Sequence, residues 1–129
     1  MDQTLIQQVS NATLAGTMSF PEVVGHLLKA GIDFYYVDYL TRQKTFYHHT
    51  DESVTTTIHY VDLPSVPAQL DKVNLKAIIL DSQVNHQTYE AFTRRAMQAG
   101  TVGYFAFLTG RRVVYWGRDG ESHIEYFPD

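Results

Sequence analysis

The chain has 129 residues, 44% hydrophobic and 19% charged, which suits one ordinary globular domain or two very small lobes. Its net charge of −4 argues against sequence-independent nucleic-acid binding, which needs cations to displace phosphate counterions. No apolar run approaches the roughly 20 residues that span a bilayer, no secretory leader opens the chain, and no cysteine is present for disulfide, thiolate or zinc chemistry, so a soluble, cytoplasmic protein is expected.

Asp2 is the expected N-cap of a first helix reaching about Leu14, with Leu5, Ile6, Val9 and Ala12 on one side. Ser19-Phe20-Pro21-Glu22 reads as a capping box, and Phe20, Val23, Val24, Leu27 and Leu28 follow as a core-facing helical stripe that Gly31 ends. From Asp33 the period falls to two, predicting strands over 33–40, 44–49 and 54–60 with turns at Thr41-Arg42-Gln43 and Thr50 to Ser53. Leu63-Pro64-Ser65-Val66-Pro67 is the expected connector between halves. In the helix that follows, Leu70, Val73, Ala77, Leu80 and Val84 form the predicted main stripe. Leu75 and Ile79 fall outside it, which predicts a second buried side or an interface. A further helix over 88–99, strands over 101–109, 112–116 and 123–127, and a turn at Arg118-Asp119-Gly120 complete the chain.

At an offset of 69, residues 19–53 and 88–122 run in the same order: capped helix, Ala-Gly, strand, turn, strand, turn. Six of 35 positions are identical: Ala30, Gly31, Tyr35, Arg42, Glu52 and Ser53 match Ala99, Gly100, Tyr104, Arg111, Glu121 and Ser122. The reading is therefore α+β: two ααβββ repeats, about 1–63 and 68–129, sharing one core in a single domain, with antiparallel hairpins packed on helices. A unit of this size is marginal alone.

The run from Tyr89-Glu90-Ala91-Phe92 to Ala99-Gly100-Thr101-Val102-Gly103-Tyr104, with Gly120-Glu121-Ser122 and Phe127-Pro128, resembles a family of small bacterial proteins of this length. Those proteins have no assigned function, and some are labelled phage envelope-like. The resemblance implies an uncharacterised domain family and supplies no catalytic residues to carry over.

A duplication gives a filter for chemistry: what both copies keep is scaffold, and what they do not share is where function has room to diverge. Glu52-Ser53 and Glu121-Ser122 are repeated and lack the oriented histidine and glycine elbow of a serine nucleophile, so turn chemistry explains them. Arg42 and Arg111 read as hairpin residues, with anion binding across an axis as the alternative. His48 and His49, adjacent on a strand, are predicted to face opposite ways, and no metal-ligand spacing is present, so no metal and no cofactor is expected.

The copies differ most on one predicted sheet face. Phe105, Phe107, Val114 and Trp116 in the second copy stand where the first has Tyr36, Asp38, Thr45 and Tyr47, with His49 just beyond. Asp38 is predicted to lie across from Thr45 and diagonal to Tyr47; this face is expected to meet solvent or a subunit neighbour, and the alternative is a shallow aromatic polar pocket anchored by Asp38, with these five residues as the candidate ligand-binding group. The function expected is a non-catalytic binding or interaction module. One variant is a homodimer formed through Leu75 and Ile79. The alternative is a small-molecule enzyme with Asp38 as general base and Tyr36 or Tyr47 as acid.

Overall fold

In the computed structural model, which describes residues 1–128, the same order of elements appears twice at the offset of 69. The first comprises α1 (Gln3–Ala15), α2 (Phe20–Lys29), β1 (Ile32–Asp38), β2 (Gln43–His48) and β3 (Ser53–Thr57). The second comprises α3 (Lys72–Asn85), α4 (Tyr89–Gln98), β4 (Gly103–Phe107), β5 (Arg112–Trp116) and β6 (Ser122–Tyr126). Moving Gln3, Phe20 and Ser53 forward by 69 gives Lys72, Tyr89 and Ser122, the starts of the matching elements, so the duplication also includes the first helix of each half. The caps repeat as well. Asp2 accepts from Leu5 N and Asp71 from Asn74 N, while Ser19 and Thr88 cap the second helices, Ser19 in a full capping box with Glu22.

The strands form one antiparallel sheet in the order β3-β2-β1-β4-β5-β6. β1 and β4 pair at its centre, with Tyr36 opposite Phe105, which is its own repeat equivalent. The pseudo-twofold axis therefore passes through that pair, perpendicular to the sheet. Because β1 and β4 run antiparallel, the turns carrying Arg42 and Arg111 stand at opposite ends of the sheet, so the axis does not bring them together. Both arginines have positive φ, 62° and 55°, which is the shared turn geometry that explains their repetition.

The helices cover one face only. Inward-facing Tyr35, Val37, Phe46, Tyr104, Ala106 and Tyr115 from the sheet are buried with Ile6, Val9, Val23 and Leu27 from the first helix pair, and with Leu75, Ile78, Phe92 and Met97 from the second. The other face is a grid of three rows read from β3 to β6. They are Thr57-Gln43-Asp38-Gly103-Trp116-Ser122, Thr55-Thr45-Tyr36-Phe105-Val114-Ile124 and Ser53-Tyr47-Phe34-Phe107-Arg112-Tyr126.

The orientation of α3 reverses the expectation. Leu75 is 0% exposed and Ile79 is buried, whereas Val73, Leu80 and Val84 are 83%, 58% and 63% exposed. Within the helix the apolar stripe taken for the core face points to solvent, although Leu70 ahead of it is buried, and Leu75 and Ile79 form a second buried side. The reason is equivalence: Leu75 and Ile78 occupy the places of Ile6 and Val9, the buried residues of α1.

The glycines that end α2 and α4 are equivalent but not equally demanding. Gly31 and Gly100 have φ of 82° and 97°. A Cβ on Gly31 would meet the tip of the His48 ring at 2.5 Å, which is a side chain; on Gly100 it would meet the Gln69 carbonyl oxygen, which is backbone. Gly100→Ala is therefore expected to cost about 3 kcal/mol or more and Gly31→Ala about 1–2 kcal/mol. Chemical denaturation of the two variants measures this, and equal losses would refute it.

Candidate functional site

The five predicted ligand-binding residues do not come together as a pocket. Tyr36, Asp38, Thr45 and Tyr47 lie, as expected, on the open sheet face, but the register differs. Tyr36 is opposite Thr45, and Asp38 is opposite Gln43. Asp38 Oδ1 accepts from the Leu40 and Thr41 amides at 2.9 and 3.1 Å, so this carboxylate holds the β1–β2 turn. Tyr47 stacks on Phe34 (centroids 4.6 Å), and Tyr36 lies over Gly103 against Phe105 (4.5 Å). Burial, with the Asp38 charge second, pushes the Tyr36 hydroxyl up to about 12. His49 is past the end of β2 and exposed. Its ring packs on His48 at 4.3 Å instead of facing the opposite way, because the chain has already left the strand. Among the described residues, no three His, Asp or Glu side chains gather closely enough to hold a metal ion.

A cavity of about 800 Å³ lies on the other side of the sheet, and the repeat shows where it comes from. In the first half α1 packs on β3 and α4, and Ser10 Oγ and Thr56 Oγ1 hydrogen-bond across that contact at 2.8 Å. In the second half α3 makes no comparable contact with β6 or α2. The equivalents of Ser10 and Thr56 are Ile79 and Glu125, and both line the cavity. One half of the duplicated fold is closed and the other stands open.

The open state is braced. Arg95 bridges Asp81 on α3 and the Gln87 side-chain carbonyl at the start of the α4 turn, and the Gln87 amide donates to Ile78 O and Ser82 Oγ. Hydrogen bonds from Asn85 and then Arg95 hold the Asp81 carboxyl below the usual carboxylate range. The equivalents of Asp81, Gln87 and Arg95 in the first repeat are Ala12, Met18 and His26, which cannot form this network.

The cavity floor is Tyr35, Tyr104, Val113 and Tyr115, and Phe20, Phe92, Tyr89 and Phe127 stand around it. Tyr89 and Tyr104 share a hydroxyl–hydroxyl hydrogen bond of 2.6 Å. Burial raises the pKa of the Tyr35, Tyr89, Tyr104 and Tyr115 hydroxyls, so at neutral pH they are neutral groups able to donate and accept. Among the described residues Glu125 is the one carboxylate lining the cavity, and it is paired with His123 at 2.9 Å.

Lys44 lies directly behind Tyr89. Its side chain is buried, its Nζ is 4.4 Å from the Tyr89 ring centroid, and burial pushes its ammonium down to about 7. Two signals in the sequence mark it. It is in phase with inward-facing Phe46, and the offset of 69 aligns it with Val113, so the copies disagree on the buried face as well as on the open one.

Fold and cavity together define a duplicated α+β fold with an open chamber in one of its two halves. The chain belongs to the DUF1398 family, described as a protein of unknown function, whose model matches residues 3–125. That match runs from α1 into β6, so the family's unit is the pair of repeats. No curated protein matches the chain. Among the described residues no helix is long and apolar enough to cross a membrane.

Proposed function

We propose that this protein is a small-molecule-binding domain whose ligand occupies the chamber between α3, the start of α2 and the strands β4–β6. The observation that carries this reading is the asymmetry of the repeat: the same fold closes over β3 in one copy and leaves a chamber over β6 in the other. An open chamber of about 800 Å³, lined by aromatic rings and flanked by the Arg95–Asp81 ion pair, supports a binding role.

The lining selects the ligand class. Aromatic faces and aliphatic groups dominate, tyrosine hydroxyls offer neutral hydrogen bonds, and the Glu125 carboxylate favours an amine or other donor at one end. A compact aromatic molecule bearing such a group fits. The proposed site lies on the helix side of the sheet, away from Asp38.

Val113→Phe puts a ring into the chamber from its floor. The variant is expected to melt within a few degrees of the parent, because the added volume enters empty space. Benzylamine, tryptamine and phenol are the probes for a thermal-shift comparison. At least one is expected to stabilise the parent, by about 2.7 kcal/mol at 100 times its Kd, and to lose that effect in Val113→Phe. If no probe distinguishes the two proteins, the chamber is not a binding site.

A further inference from the structure

The open face of the sheet departs from what an antiparallel sheet covered on one side ordinarily shows, which is apolar residues inward and polar residues outward. Here Phe34, Tyr36, Phe105, Phe107, Val114 and Trp116 form its centre, on a face that no helix covers. We infer that a second copy of this chain packs on that face, giving a helix–sheet–sheet–helix dimer.

Three observations favour a second copy over another partner. The first is size. Six strands at ~4.8 Å and five residues at ~3.3 Å give a face of roughly 28 by 17 Å. That is about 480 Å² of flat area per copy, which side-chain relief and rim raise toward the ~800 Å² per partner of a standard interface.

The second is charge. The chain carries −4 overall, yet the grid holds only Asp38 and Arg112 as charged residues, so two copies meet there without repulsion. Neither charge is stranded by burial: Asp38 is bonded to its own turn, and the Arg112 guanidinium stacks 5.0 Å from the Tyr126 ring centroid. The same lack of cations disfavours a phosphate-bearing ligand.

The third is shape. Gly103 has no side chain, and the Tyr36 ring lies over it, so the hollow left in an outer row of the grid is filled by a ring lying beside the axis. That suits two sheets meeting face to face at the ~10 Å separation of a sandwich. An isologous contact then lets the apolar half, β4–β6, and the hydroxyl-bearing half, β1–β3, each meet the other copy.

Light scattering after size exclusion, from 1 to 100 µM, is the test. The parent is expected at twice 14.7 kDa. Val114→Lys and Thr45→Lys, equivalent positions on either side of the axis, are each expected to weaken the dimer by about 30-fold or more while leaving the circular dichroism unchanged. Thr45 is already polar, so its variant remains informative should Val114→Lys fail to fold. Leu80→Glu on α3 is expected to stay dimeric. A monomeric parent at 100 µM, a dimer indifferent to the folded variants, or dissociation by Leu80→Glu alone would each overturn the inference.

Discussion

Lys44→Met is expected to stabilise the protein at pH 7 by on the order of 3 kcal/mol, with a rise in Tm of about 10 °C. Lys44 is 2% exposed, its amine faces the Tyr89 ring, and among the described residues no carboxylate bonds to it. Its pKa falls from 10.5 to about 7 because burial penalises the charged form. Below pH 7 the ammonium is charged in both folded and unfolded states, and the folded state carries the whole cost of burying it. Between about pH 7 and 10.5 the unfolded chain binds the extra proton, so stability rises with pH. Above about pH 10 the tyrosines reverse the trend: their folded pKa lies above the unfolded value, the folded state holds more protons, and stability falls. The parent is therefore expected to be most stable near pH 9–10. Lys44→Met is expected to flatten the rise between pH 7 and 10 and leave the alkaline fall in place. Urea denaturation at pH 6, 7, 8 and 9 for both proteins is the measurement. A parent profile flat over that range, or no gain in the variant, would refute the burial cost.

Lys44 also marks where reading the sequence stops being sufficient. Turns, caps and strand phase are local, and they are legible: the Ser19–Glu22 capping box, the Gly31 and Gly100 stops and the offset of 69 all appear in the structure. The open sheet face is legible too, because period-two alternation puts Tyr36, Asp38, Thr45 and Tyr47 on one side whatever lies opposite. Asp38 stands out among them as a charge opposed to a phenylalanine. Its explanation is two backbone amides of the following turn, a contact that residue type alone leaves unspecified.

The chamber is a different kind of feature. It is an absence of packing, and no local pattern encodes an absence. Only comparison of the copies suggests it, through Ser10 and Thr56 becoming Ile79 and Glu125. The hydrogen bond that joins helix to sheet in the first half has no counterpart to form in the second. That comparison requires aligning α1 with α3, which the identities over 19–53 and 88–122 leave out.

Leu75→Glu is expected to abolish folding, whereas Leu80→Glu, five residues along the same helix, is expected to change stability by no more than about 0.5 kcal/mol. Helix α3 carries apolar residues on all sides, so periodicity offers two stripes and no reason to choose between them. The repeat supplies the reason. Leu75 and Ile78 match buried Ile6 and Val9, while Val73, Ala77, Leu80 and Val84 match Thr4, Gln8, Asn11 and Ala15, all exposed on α1. Truncating a buried leucine to alanine already costs about 2–5 kcal/mol. A glutamate at position 75 adds the burial of a carboxylate with no partner, and the total approaches the 5–15 kcal/mol that holds a domain of this kind together. Leu80 contributes little to that interior, so its exchange for glutamate removes apolar surface from solvent contact and little else. Circular dichroism and thermal melts of the two variants decide the orientation of α3. A folded Leu75→Glu beside an unfolded Leu80→Glu would turn the helix round and place its other stripe on the core. The chamber wall at Ile79 would then turn outward with Leu75, so the same pair of variants tests whether α3 stands where the proposed site needs it.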